Sequence, residues 1–124
     1  MSPLEAARGA IGTRFRPQGR GAEGLDCVGL AGLAFGRAVP GGYAMRGGDA
    51  GAVARAIEGA GLVRVENGRP GDLLLLRPGP GQLHFAIRSE AGIIHADAML
   101  RRVVERPGPP PWPVIGCWRL PEEV

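Results

Sequence analysis

At 124 residues the chain has the length of one domain, and its aromatic share of 5% leaves the core to Leu, Val, Ile and Ala; a chain this size buries roughly two-thirds of its unfolded surface without disulfide staples. The formal charge of +3 is carried by Arg alone, for there is no Lys, and the arginines are scattered, only Arg101 and Arg102 being adjacent, so nothing marks a nucleic-acid surface. Cys27 and Cys117 form no CxxC pair and no disulfide framework, and no stretch approaches the roughly 20 apolar residues of a membrane span.

Ser2-Pro3-Leu4-Glu5 predicts a helix start. Ser2 caps, Pro3 takes the first helical position and Glu5 closes a capping box. Leu4, Ala7 and Ile11 follow at helical spacing, and Gly12 ends the element. The N-terminus has no long apolar segment, so no signal peptide is expected. Residues 13–25 read as a loop broken by Pro17, Gly19, Gly21 and Gly24. A second helix is predicted over Asp26–Phe35. Val28, Leu30, Ala31, Ala34 and Phe35 make it apolar nearly all round, as in a buried central helix. Gly29 and Gly32 lower its propensity by about 1 kcal/mol each, but they let neighbouring backbone come close.

Pro40-Gly41-Gly42 and Gly47-Gly48 bracket a loop. Asp49 caps a third helix carrying Val53, Ile57 and Ala60, stopped by Gly61. The period then changes to that of strands. Leu62–Glu66, Asp72–Arg77, Leu83–Arg88, Gly92–Met99 and Arg102–Glu105 are separated by turns. Asn67-Gly68 is one of these turns. Pro107–Pro113 is a stiff connector of polyproline character, and Val114–Leu120 is the last strand. Helices first and antiparallel strands second give an α+β class.

The chain has two histidines. His84 and His95 fall in adjacent strands joined by Ser89-Glu90-Ala91-Gly92. If those four residues form the loop, Arg88 pairs with Ile93 and Ala86 with His95. Alternation then puts both histidines on one face, diagonally adjacent; a register slip of one residue would separate them. Cys27 lies in the first turn of the second helix, directly after Asp26. A helix N-terminus and a nearby imidazolium both lower a thiol pKa, and a third polar group must orient such a histidine. His95 can supply that third group, and Asp97 is a candidate neighbour of the pair.

Four stretches in order are "GTRFRPQGRGAEGLDCVGL", "RPGDLLLLRPGPGQLHFAI", "GIIHADAM" and "VIGCWRL". Together they resemble the NlpC-type cysteine peptidases of bacterial cell walls, over residues 9–120. The resemblance implies a papain-like α+β fold, with N-terminal helices packed on an antiparallel sheet of five to six strands in a single domain, 1–124. It implies Cys27 as nucleophile, His84 as general base and His95 as the orienting third residue. The backbone N–H of Cys27 would serve as oxyanion donor, with no cofactor and no metal. It further implies hydrolysis of peptide bonds in peptidoglycan stems, often between D-glutamate and a diamino acid, with Asp26 near the stem-peptide pocket. Relatives often carry Tyr and then Trp-Gly-Gly before the cysteine. Here Phe15 and Pro17-Gln18-Gly19 stand there, and Phe15, without the hydroxyl, is the matching substrate-side residue. The compact form resembles the phage-tail and gene-transfer-agent branch. The expected location is therefore cytoplasmic at synthesis, with action at the cell wall or periplasm and delivery on a phage-like particle.

Plainer readings stand beside these. Cys27 is a small buried hydrophobe, Asp26 an N-cap, Asp72 a strand-start residue bonding a turn amide, Cys117 a core residue, and Arg101 and Arg102 a solvated edge. Three other functions use the same residues. They are an amidase or acyl transferase with the same triad, a non-catalytic tail or wall-binding module, and a zinc site from Cys27, His84, His95 and Cys117.

Overall fold

The computed structural model describes residues 1–37, 45 and 48–124. The Pro40–Gly42 end of the expected glycine-bracketed loop, and Gly47 at its other end, lie outside the described residues. Helix α1 spans Pro3–Gly9, and its start is the capping box expected from Ser2 and Glu5. It ends earlier than the Gly12 limit. The N–H groups of Ala10 and Ile11 turn back to the carbonyls of Ala7 and Arg8, which tightens the last turn. Gly12, at φ 92°, then sends its N–H to Val103. Ile11 is consequently 42% exposed instead of joining the apolar stripe of Leu4 and Ala7.

Residues 13–25 are more ordered than a loop. They contain a small hairpin, β1 (Arg20–Gly21) and β2 (Gly24–Leu25), and Phe15 bridges to Leu25. Helix α2 (Cys27–Phe35) is the buried helix that its apolar run predicts, with only Leu33 well exposed at 46%. Gly36 closes it in the left-handed conformation. Gly29 meets the need for close approach: a Cβ there would collide with the carbonyl oxygen of Gly19. Helix α3 (Ala50–Gly59) starts at Asp49, whose side chain accepts from the Gly51 N–H, and buries Val53 and Ile57.

Six antiparallel strands follow: β3 (Val63–Val65), β4 (Leu73–Leu76), β5 (His84–Arg88), β6 (Gly92–Asp97), β7 (Arg102–Pro107) and β8 (Val114–Arg119). Their order in the sheet is β3-β8-β4-β5-β6-β7. Strand β6 stops two residues short of the predicted Met99 because Asp97 Oδ1 accepts the N–H groups of Met99 and Leu100 and turns the chain. Alternation sorts the sheet into two faces. Leu73, Leu75, Phe85, Ile87, Ile94, Ala96, Val103 and Trp118 pack with the helices in the main core. Leu74, Leu76, Ala86, Ile93 and Cys117 form a smaller cluster on the other face, where Val65 and Trp112 join them. The fold is the α+β arrangement expected, with six strands in its main sheet among the described residues.

At the sheet end remote from the histidines, Arg119 donates from Nε and Nη2 to the two oxygens of Asp72 at 2.9 and 2.7 Å, with both side chains buried. Asp72 also accepts the Arg69 N–H. Its expected role at a turn amide is therefore met, together with a larger role as partner to a buried cation.

Candidate active site

Asp26 is the N-cap of α2. Its Oδ1 accepts the Gly29 N–H at 2.8 Å and Arg20 Nη1 at 2.7 Å, and its Oδ2 accepts the Gln18 N–H at 3.0 Å. One carboxylate thus fixes the helix start and the loop before it. Gln18 is held at φ 62°, a conformation that a residue with a Cβ rarely adopts. Phe15 is half-buried against the core and donates its N–H to the Arg101 carbonyl.

Cys27 is the first residue of α2, partly buried beside the main core. Burial pushes its thiol up to about 11. The backbone amides of Phe85 and Val28 and the Arg20 charge act the other way, while Asp26 adds to the rise. This corrects the expectation of a thiol lowered by the helix start: desolvation outweighs the amides. The Cys27 N–H has no acceptor among the described residues, as befits the first helical position.

The amide of Phe85 places the sulfur beside β5, one residue from His84. The Arg88 N–H goes to Asp72 on the β4 side, so alternation turns the N–H groups of Ile87 and Phe85 toward β6. Strands β5 and β6 pair only at Ile87–Ile94 and Arg88–Ile93. The Ser89–Gly92 loop gives the Arg88–Ile93 register that was predicted, closed by the Ser89 N–H on Gly92 and the Gly92 N–H on Ser89 Oγ. The expected Ala86–His95 pair is not formed. Beyond Ile87 the side chains hold the strands together, with His84 Nε2 at 2.9 Å from His95 Nδ1.

Burial holds the His84 imidazole down at about 4, the His95 ring adds to this, and Asp97 opposes it. His95 is also lowered, again by burial first, with Asp97 opposing and Arg106 assisting. Both rings are therefore neutral at neutral pH, and so is the Cys27 thiol.

Trp112 falls in the stiff Pro107–Pro113 connector, where no motif singles it out. The proline-rich segment lays its indole edge-on against both rings, with centroids 5.5 Å from His84 and 5.9 Å from His95. Its only sequence signal was a Trp among prolines in a chain poor in aromatics. The zinc reading fails on geometry. Among the described residues no group of three ligating side chains converges, so the set Cys27, His84, His95 and Cys117 is not assembled around a common point. No helix among the described residues is long and apolar enough to cross a membrane.

No family model and no curated protein matches the chain. Solved structures do. NlpC1 from Trichomonas vaginalis superposes on 94% of this chain with a TM-score of 0.69 at 18% identity, a likeness of fold. This chain spans 43% of that one. The NlpC/p60 domain of the peptidoglycan hydrolase SagA superposes on 82% of this chain and 83% of its own length, with a TM-score of 0.57 at 28% identity.

Proposed function

We propose, from the likeness to NlpC/p60 structures, that the chain is a cysteine peptidase of that type hydrolysing stem peptides of peptidoglycan, at the bond between D-glutamate and a diamino acid. The observation that carries this reading is the His84–His95 hydrogen bond on a strand whose next residue, Phe85, sets its amide beside the Cys27 thiol.

The proposed cycle starts from neutral partners. His84 takes the thiol proton as the Cys27 sulfur attacks the scissile carbonyl carbon, so proton transfer and C–S bond formation are concerted. The Cys27 N–H, free at the helix start, donates to the developing oxyanion. The C–N bond breaks, His84 returns the proton to the leaving amine, and a thioester remains. Water then attacks the thioester, again losing a proton to His84, which passes it to the departing thiolate. His95 holds the His84 ring in position throughout. Phe15 and Asp26 contribute on the substrate side. Asp26 does so through the loop it ties to the helix, since its oxygens already serve Gly29, Gln18 and Arg20.

Incubation with purified peptidoglycan fragments and mass spectrometry of the products tests the reading. Wild type releases cleaved stem peptide, and Cys27→Ala does not. Absence of cleavage by wild type, or equal cleavage by the variant, sinks it. Product masses showing amide or acyl transfer would retain the triad and change the reaction.

One observation favours a non-catalytic module instead: the thiol pushed up to about 11. Iodoacetamide alkylation decides between them. The peptidase reading expects Cys27 in wild type to react faster than Cys27 in His84→Gln. Equal, slow rates in both favour the binding module.

A further inference from the structure

Ring nitrogen Nε2 of His95 is buried and has no hydrogen-bond partner among the described residues. A buried polar atom without a partner is rare and calls for a cause. Asp97 Oδ2 lies 3.8 Å from it. The two residues share a face of β6, because they are two apart on one strand. Asp97 Oδ1 is engaged by the Met99 and Leu100 amides at 2.9 and 3.0 Å, which fixes the carboxylate with Oδ2 as the spare oxygen.

We propose that Asp97 is a positioning residue that keeps the His95 proton on Nε2 and so leaves Nδ1 of His84 free to act as base. The inference rests on the peptidase reading for its consequence, and on geometry alone for the proton's place. A bare lone pair on Nε2 would face a carboxylate oxygen, which is repulsive; an N–H there is attracted to it. With the proton on Nε2, Nδ1 of His95 is an acceptor. His84 must then donate from Nε2 across the 2.9 Å contact. A neutral His84 with its proton on Nε2 has a bare Nδ1. In the opposite arrangement His95 donates from Nδ1, His84 accepts at Nε2, and its proton sits on Nδ1, where it blocks the base. Asp97 thus selects one of two proton registers in a pair that would otherwise be free to adopt either.

Other charged residues lie near this group: Arg102 is the register partner of Asp97 on β7, the Arg14 backbone bridges to Arg102, and the Arg106 charge bears on His95. The Trp112 ring closes the other side of His95. None of these is an acceptor that could take the Nε2 proton.

Asp97→Asn is the discriminating variant. Its amide oxygen can still accept the Met99 and Leu100 N–H groups, while its NH2 would face His95 Nε2 as a donor and impose the opposite register. Long-range 15N–1H spectra of the full chain read the tautomers directly. Wild type is expected to show Nε2–H on both histidines, and Asp97→Asn to show Nδ1–H on both. On stem-peptide substrate the variant's kcat should fall about 10- to 100-fold with KM within about twofold, by analogy with the carboxylates that orient metal-bound histidines. Nδ1–H on His95 in wild type, unchanged tautomers in the variant, or switched tautomers with unchanged kcat would each overturn the proposal. If wild type shows the stated tautomers but cleaves no stem peptide, the peptidase reading fails and the assignment of the proton survives.

Discussion

Trp112 stands edge-on to His84, with interplanar angle 81° and ring centroids 5.5 Å apart, and it meets His95 in the same way. The indole arrives from the connector between β7 and β8, whose start is already tied to the β5–β6 loop by the Gly108 N–H on the Ala91 carbonyl. It therefore excludes water from two titrating rings while contributing no charge.

Trp112→Ala is expected to raise the His84 pKa from about 4 toward the ordinary histidine value of 6.5, since burial is the largest cause of the depression. Loss of two edge-on contacts costs roughly 1–3 kcal/mol of stability. Histidine ring resonances followed against pH check the first effect, and thermal melts the second. An unmoved His84 titration would show that other neighbours desolvate the ring.

The depressed histidines also set how stability depends on pH. Between about pH 6.5 and pH 4 the unfolded chain protonates at His84 while the folded protein does not. The unfolded state then binds more protons, so stability is lost as pH falls through this window and stops changing on this account below it. His95, lowered in the same direction, adds to the slope. Urea midpoints at pH 7, 5.5 and 4.5 should fall in that order, and His84→Gln should flatten the trend. In kinetics, the acid limb of kcat/KM should lie near pH 4 for wild type.

Asp72→Ala removes the partner of Arg119 at a site where both side chains are almost fully buried. An uncompensated buried cation costs about 3–5 kcal/mol. Asp72→Leu with Arg119→Met should recover a large part of that loss, because an apolar pair of similar volume avoids desolvation altogether. Chemical denaturation of the single and double variants measures both. A double variant as unstable as the single would assign the cost to the lost Arg69 amide bond instead.

Gly29→Ala pits two effects against each other. Alanine gains about 1 kcal/mol of helix propensity. Its Cβ would, however, meet the Gly19 carbonyl, and that oxygen is backbone, fixed by the Arg20 guanidinium at 2.9 Å. Overpacking of this kind costs about 1–3 kcal/mol, so a net loss of stability is expected, with the Gln18–Arg20 loop displaced. A melting temperature at or above that of wild type would mean that the loop moves freely.

Much of this was legible in the sequence, and the reasons are local. Capping at Ser2, Asp26 and Asp49 depends on neighbouring amides. The Arg88–Ile93 register depends on a four-residue loop, and it carries both histidines to one face. What escaped depends on distant chain meeting. Strands of two residues, as in Arg20–Gly21 and Gly24–Leu25, have no period to read. Ile11 matched a helical stripe but lies past the turn that Ala10 makes. Cys27 carries every mark of a lowered thiol, and only the packing of α2 against β5 shows that burial prevails. Trp112 could not be placed at all, because the path of a proline-rich connector is set by where its two ends are anchored.

Strand β8 is the last of the six to be synthesised, yet it lies between β3 and β4 in the sheet. Until residues 114–119 emerge, β3 has no neighbour, β4 has an open edge, and Trp112 has no anchored segment to deliver it to the histidines. A growing chain thus carries Cys27, His84 and His95 before the sheet that sets their positions is closed.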